Sequence, residues 1–352
     1  MSRLCELLNV TWPVIQAPMA GSQGSGLAMA VSRAGGLGSL PAATLGFDSL
    51  TAELQLMQSL AGLPYNVNFF CHTPPVADAA REARWNEALT PFYEQAGLPS
   101  PTAPASAARV PFNGAALSVL EAFRPPVVSF HFGLPSAESV QRIKDWGGKI
   151  LATATTVEEA VWLEAAGADA VIAQGWEAGG HRGVFLTDDL TTQMGLFALL
   201  PQVVRAVKVP VVAAGGIVDA QGVRAARALG AEGVQVGTAY LWCPESQTAP
   251  LHRAALKSDQ ARHTAVTNVF TGRPARGMVN LAMRALGENG SCICSSAPAF
   301  PLAASAWGPL RSAAEAAGSS DFSPLWAGQG APACAPRGAA ELTQLLGEAW
   351  GV

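Results

Sequence analysis

Three features of the sequence predict an α/β chain closed as a (β/α)8 TIM barrel. Eight short apolar runs recur, at Val14–Met19, Gly36–Pro41, Tyr65–Phe70, Val127–Phe132, Lys149–Ala154, Ala170–Gln174, Val209–Ala214 and Val234–Tyr240. Longer helix-like segments separate them. The runs are rich in Val, Ile and Ala without clean alternation, as parallel strands buried on both faces require. A chain of 352 residues has room for such a barrel plus a smaller unit. A doubly wound open sheet is the competing topology, but it lacks its usual signature. Gly21-Ser-Gln-Gly-Ser-Gly26, after the first run, has the wrong spacing for a dinucleotide-binding turn.

Taken in order, the runs are the strands, and Leu27–Arg33, Ser49–Leu60, Val157–Ala166 and Ala220–Leu229 are helices between them. Thr156 and Asp219 are suited to N-capping. Gly35, Gly147, Gly167 and Gly230 stand where helices should stop. Two segments break the alternation. Residues 75–124 hold an amphipathic piece, Asp78–Leu89, and a Pro/Ala/Ser linker, Pro99–Ala108. Residues 245–323 read as helical, and their tract Ala297–Ser320 is expected to be partly mobile. The expected division is a barrel of residues 1–74, 125–244 and 324–352. Residues 75–124 and 245–323 then form a helical cap over its C-terminal mouth.

Composition narrows the function. Hydrophobic residues make up 49% and charged residues 14%, which excludes a disordered chain. A net charge of −4 and no dense basic cluster argue against a nucleic-acid surface. The apolar runs are strand-length, so no membrane span is expected. Glu6 and Asn9 interrupt any secretory core at the N-terminus, so a cytoplasmic protein is expected. Six cysteines, at 5, 71, 243, 292, 294 and 334, have no zinc-like spacing. Reduced thiols and no metal are the expectation.

In a barrel, chemistry collects where strands run into the following loops. Glycines after the seventh strand, Gly215 and Gly216, let backbone N–H groups approach an anion closely. Gly237 and Thr238 at the eighth strand add an N–H and a hydroxyl. A helix start near Asp219 or after Thr238 would add its dipole. Packing turns are the alternative for one Gly pair; two pairs at these two strands favour a phosphate site. FMN fits that phosphate, with its ring over the barrel mouth along the backbone of Ala17, Pro18 and Met19. Asn68 and Gln174 are neutral groups that both donate and accept hydrogen bonds, which suits a flavin's mixed edge or its ribityl hydroxyls; a satisfied loop amide and a strand-end turn residue are the alternatives.

His181 is the candidate catalytic base. It lies in the glycine-flanked loop Gly179-Gly-His-Arg-Gly183, and histidine titrates near neutral pH. Glu177 or Arg182 is placed to tune it. His131, at the end of the fourth strand, faces the same mouth and is the candidate substrate ligand; a backbone-bonded histidine at the core's edge is the alternative. Cys71 and His72 are adjacent on a strand and point to opposite faces, which disfavours a nucleophile pair. His252 and His263 are expected at the surface. Arg253, Lys257, Arg262, Arg273, Arg276 and Arg284 are expected on a solvated cap face, with one or two drawing in an anionic substrate.

Several motifs together carry a resemblance. They are Gln16-Ala-Pro-Met-Ala-Gly21, Asn68-Phe-Phe, Gln174-Gly-Trp-Glu-Ala-Gly-Gly-His-Arg-Gly183, Ala214-Gly-Gly-Ile217, Gln235-Val-Gly-Thr238 and Leu325-Trp-Ala-Gly-Gln329. The chain resembles the nitronate monooxygenases, formerly called 2-nitropropane dioxygenases, and is class I-like. The resemblance implies a barrel with a helical substrate domain, non-covalent FMN, and oxidation of alkyl nitronates with O2 to carbonyl compounds and nitrite. Propionate 3-nitronate is typical of class I. It implies that His181 is the base for neutral nitroalkanes and that His131 lines the substrate site. It also implies FMN contacts at Asn68, Gln174, Gly179, Gly180, Gly215, Gly216, Gln235, Val236, Gly237 and Thr238. One stretch departs. Where class I carries tyrosines and a lysine, this chain has Phe300, Ala304 and Gly308. A larger or more apolar nitro compound then becomes plausible. Two other readings stay open: an NAD(P)H-dependent FMN reductase of quinones or enoyl thioesters, and a non-enzymatic binding protein. Clustered polar residues at one barrel end speak against the second. A homodimer is left open.

Overall fold

A computed structural model describes residues 2–101 and 109–351. Most of the Pro99–Ala108 linker lies outside the described residues. The strands are β1 (Val14–Gln16), β2 (Gly38–Pro41), β3 (Tyr65–Phe70), β4 (Val127–His131), β5 (Lys149–Ala154), β6 (Ala170–Gln174), β7 (Gly180–His181), β8 (Val211–Ala214), β9 (Gly233–Val236), β10 (Thr264–Thr267) and β11 (Ala275–Met278). Eight of them form one parallel sheet, in the order β1-β9-β8-β6-β5-β4-β3-β2. A parallel bridge between Ile15 and Leu37 joins its two ends. There the Gln16 N–H donates to the Leu37 carbonyl at 3.0 Å, and the Leu37 N–H to the Val14 carbonyl at 2.9 Å. The sheet is therefore closed into a (β/α)8 barrel. β8 and β9 are its seventh and eighth staves, and β7 lies outside it.

Local chemistry places these elements. The Thr156 hydroxyl accepts the Glu159 N–H, and the Asp219 carboxylate accepts the N–H groups of Gln221 and Gly222. Gly35, Gly147, Gly167 and Gly230 follow helices with φ between +84° and +102°. Alternate side chains of β5, β6, β8 and β9, such as Ala152, Val171, Ala213 and Val234, pack outward against the helices. The helix Gly114–Phe123 covers β3 and β4 through Ala116, Leu117 and Leu120 against Phe69 and Phe130.

The inward face near β1–β4 is polar. Buried Asn66 donates to the hydroxyls of Ser39 and Ser129, at 3.0 and 2.8 Å. Its own Oδ1 has no partner among the described residues.

The segment 245–323, expected to be helical, also holds strands. β10 and β11 pair antiparallel, and β11 pairs with β7, setting Ala275 opposite His181 and Arg276 opposite Gly180. β10 and β11 are four residues each, with threonines at both ends of β10 and Arg276 and Gly277 inside β11, so no apolar run announces them. Around them the helices Ala79–Gln95, Leu281–Leu286 and Ala303–Ala316 share an apolar cluster. Trp85 and Trp307 stack in it with ring centres 6.1 Å apart. The tract expected to be mobile forms the helix Ala303–Ala316, pinned by Trp307 Nε1, which donates to the Phe322 carbonyl at 2.9 Å.

Two surface expectations are corrected. His252 is buried, because it faces inward on an amphipathic helix, Pro250–Lys257. Arg276 is buried too, and donates to the Trp176 carbonyl at 3.0 Å. Arg273 lies over the Phe132 ring, 4.0 Å from its centre. Among the described residues, no helix is long and apolar enough to cross a membrane.

Candidate active site

One cleft, of about 1360 Å³ including its mouth, opens where the barrel strands end. Its wall at β8 and β9 is backbone. Gly215 and Gly216 have φ of +123° and +69°, a region in which other residues are strained. The N–H groups of Gly215, Gly216 and Gly237 have no hydrogen-bond partner among the described residues. β9 stops at Val236, two residues into the predicted run, and Thr238–Trp242 continues as a 3-10 helix. The Thr238 hydroxyl accepts the Gly328 N–H at 2.9 Å, which leaves its own O–H free to donate. Gly328 and Gly330 close the same wall.

The floor is lined by Ala17, Pro18 and Met19. Two buried glutamines hold this strip. Gln23 Oε1 accepts from the Met19 N–H at 3.2 Å and from Gln16 Nε2 at 2.6 Å. Gln16 Oε1 in turn accepts the Ser39 N–H at 3.0 Å. The backbone of 17–19 is thus fixed by side chains beneath it. Asn68 lines the cleft and donates to the Ser129 hydroxyl at 2.9 Å. Gln235 also lines it, and its Oε1 is buried without a partner among the described residues.

Val236 does not line the cleft. Its side chain packs in the barrel-to-helix core, while its carbonyl accepts the Ala17 N–H at 2.8 Å. Strand alternation sends Gln235 inward and Val236 outward.

The other end is aromatic. Phe70, Phe132 and Phe300 surround His181, with Trp326 5.5 Å from its ring. His181 sits on β7, so its backbone is registered by β11. Its carbonyl accepts Gln174 Nε2 at 2.9 Å and lies 3.2 Å from His131 Nε2. Gln174 Oε1 accepts the Gly183 N–H at 2.8 Å. The Gln174 amide therefore spans the histidine loop from inside, rather than reaching freely toward a ligand. His131 must place its N–H on the carbonyl it faces, which leaves its neutral ring no N–H for a substrate. His131 nonetheless lines the cleft. His181 Nε2 lies 2.9 Å from the Thr271 hydroxyl.

Neither Glu177 nor Arg182 touches the His181 ring. The Glu177 carboxylate accepts the Leu196 N–H at 2.8 Å and caps a helix start. Arg182 is fully buried and donates to the carbonyls of Gly175 and Gln174, at 2.6 and 2.9 Å. Its successor position on the strand sends it away from the cleft.

The electrostatics favour neutral imidazoles and an anionic guest. Burial pushes His72 down to about 4 and His131 down to about 3. Burial also holds His181 well below its ordinary value, and the positive charges of Arg109 and Arg273 act in the same direction. Arg109 lines the cleft 5.6 Å from the Phe300 ring centre, and no carboxylate pairs with it among the described residues. Burial pushes the Cys71 thiol up, so it is no nucleophile. The sequence reading missed Gln16, Gln23, Arg109 and Thr271. Gln16 and Gln23 lay in stretches already singled out, Gln16 in the first-strand motif and Gln23 in the glycine-rich stretch rejected as a dinucleotide-binding turn. Arg109 and Thr271 stand in segments with no strand signal.

Comparisons with known proteins point to one family. The family model described as nitronate monooxygenase matches residues 1–347. A nitronate monooxygenase of Paraburkholderia phytofirmans is 43% identical over 346 residues, 97% of this chain and 93% of that protein. A nitroalkane oxidase from Streptomyces ansochromogenes superposes with a TM-score of 0.87 at 37% identity, covering 99% of this chain and 97% of that one. FabK from Thermotoga maritima is more distant, with a TM-score of 0.74 at 27% identity over 100% and 96% of the two chains.

Proposed function

The chain belongs to the nitronate monooxygenase family, an oxidoreductase family, and on that premise we propose that it holds FMN in the cleft and oxidises alkyl nitronates with O2. The products would be carbonyl compounds and nitrite. The residues present fit the cofactor. The free N–H groups of Gly215, Gly216 and Gly237 suit a phosphate. The unpartnered Gln235 Oε1 suits an N–H of a ring edge, and the fixed 17–19 backbone suits a flat ring. When bound, FMN supplies the electron acceptor and the site of O2 reduction.

The chain's own residues do the rest. The single observation that carries the reading is the setting of His181: half buried, with its carbonyl held by two side chains, its Nε2 held by a third, and burial favouring the uncharged ring. A neutral imidazole can take the α-proton of a nitroalkane. A preformed nitronate needs no such step. Negative charge growing on the nitro group favours the imidazolium that forms, and Arg109 in the same cleft favours the anion. Phe70, Phe132 and Phe300 exclude water from that end and suit an apolar chain on the substrate.

The test is equilibrium binding of FMN, followed by O2 uptake with alkyl nitronates. Tight binding and substrate-dependent uptake are expected. No FMN binding, or uptake indifferent to nitronate, would end the proposal.

A further inference from the structure

We propose that Thr271 is a positioning residue that sets the ring tautomer of His181 and so makes Nδ1 the nitrogen that takes the substrate proton. This rests on the proton-abstraction reading above. His181 Nε2 lies 2.9 Å from Thr271 Oγ1, so that nitrogen is engaged from the cap side. A hydroxyl has one proton to give, and Thr271 is buried. Its other neighbour is the Arg273 carbonyl at 3.5 Å, which can only accept.

One arrangement uses both contacts. His181 Nε2–H donates to Thr271 Oγ1, and the Thr271 O–H donates to the Arg273 carbonyl. Nδ1 then carries a bare lone pair. The reverse arrangement directs the Thr271 O–H at Nε2, abandons the carbonyl and puts the ring proton on Nδ1. A ring in that state has no lone pair free for substrate. With the first arrangement the step balances simply. The α C–H bond breaks, an N–H bond forms at Nδ1, and the electron pair stays on the substrate as the nitronate. The positive ring that results keeps its acceptor at Thr271, against the opposing charges of Arg109 and Arg273.

The cap holds Thr271 in place for this. The Gly272 N–H donates to the Asn268 carbonyl at 2.7 Å. The Asn268 side chain exchanges two hydrogen bonds of 2.9 Å with the Cys294 backbone. Gly272 has a φ of +86°, and a Cβ there would lie 2.0 Å from the Pro298 carbonyl oxygen. Three residues on, β11 is bolted to β7 with Ala275 opposite His181. The loop that carries Thr271 is thus registered to the histidine it touches.

The experiment has two arms. First, nitrogen NMR on histidine-labelled wild-type protein, with His181 assigned by its loss in His181→Asn, reads the tautomer directly. A proton on Nε2 is expected; a proton on Nδ1 overturns the proposal. Second, kcat/KM is measured for a neutral nitroalkane and for its preformed nitronate. In Thr271→Val the nitroalkane-to-nitronate ratio should fall at least tenfold, and Thr271→Ser should restore it to within threefold. An unchanged ratio in Thr271→Val overturns the proposal. Wild-type protein inert to nitronates would sink the activity reading, and the catalytic part of this one with it. A wrong tautomer in an active enzyme sinks Thr271 alone.

Discussion

Gln174→Leu is the sharpest perturbation of the histidine loop. The side chains are close in size, so the change removes hydrogen bonds rather than volume. The Gly183 N–H, buried and 2.8 Å from Gln174 Oε1, loses its acceptor. The His181 carbonyl loses its donor at 2.9 Å and keeps His131 at 3.2 Å. An orphaned buried N–H costs about 1–3 kcal/mol and a lost bond with a remaining partner about 0.5–1.5 kcal/mol. The sum is about 1.5–4.5 kcal/mol. With an unfolding entropy of about 2.1 cal/mol/K per residue spread over 352 residues, this lowers Tm by roughly 2–6 °C. The catalytic effect should be larger than the thermal one, because a displaced base loses on the order of tenfold or more. Calorimetry and the nitroalkane-to-nitronate ratio of kcat/KM measure the two. A variant with unchanged Tm and ratio, altered only in FMN affinity, would refute the claim that Gln174 acts on the loop.

Three further outcomes are expected. Gly179→Ala should cost more than Gly180→Ala. A Cβ at Gly179 lies 2.5 Å from the Gly328 backbone N, whereas at Gly180 it meets open space and only the φ of +74° is strained. Melting curves should show about 1–2 kcal/mol lost at Gly180 and a greater loss at Gly179, with weaker FMN binding there. His252→Gln should blunt acid destabilisation. Burial lowers His252 to about 4, so below 6.5 the unfolded chain takes up a proton that the folded chain refuses, and stability falls with pH. Unfolding free energies from urea titrations at pH 7 and pH 5 should differ by about 2 kcal/mol less in the variant. Arg109→Met should raise KM for nitronates that carry a second acidic group by about tenfold, the scale of a partly desolvated charge, and do little to KM for uncharged nitroalkanes. Equal effects on both would remove Arg109 from substrate binding.

The barrel was legible because its strands are buried on both faces. Tyr65–Phe70, Lys149–Ala154 and Ala170–Gln174 begin and end where the apolar runs do. The first and eighth runs read too long, because Ala17–Met19 and Thr238–Trp242 are apolar loop and 3-10 turn that line or back the cleft. β10 and β11 were illegible. β11 takes as its second partner a two-residue strand distant in sequence, and it hides the buried Arg276 in an apolar setting. The glycine pairs and His181 could be read because the fold fixes where strand ends meet. What Gln174, His131 and Arg182 do could not. Each carries chemistry that suits a ligand, and each is consumed by backbone atoms of the loop that presents His181. Spacing alone cannot distinguish these uses.

The most direct measurement is His181→Asn protein assayed with a nitroalkane deuterated at the α-carbon and with the matching nitronate. The wild type should show a primary isotope effect on the nitroalkane alone, and the variant's nitroalkane-to-nitronate ratio should fall more than 100-fold. Parallel losses on both substrates, or no isotope effect in the wild type, would contradict a base at His181.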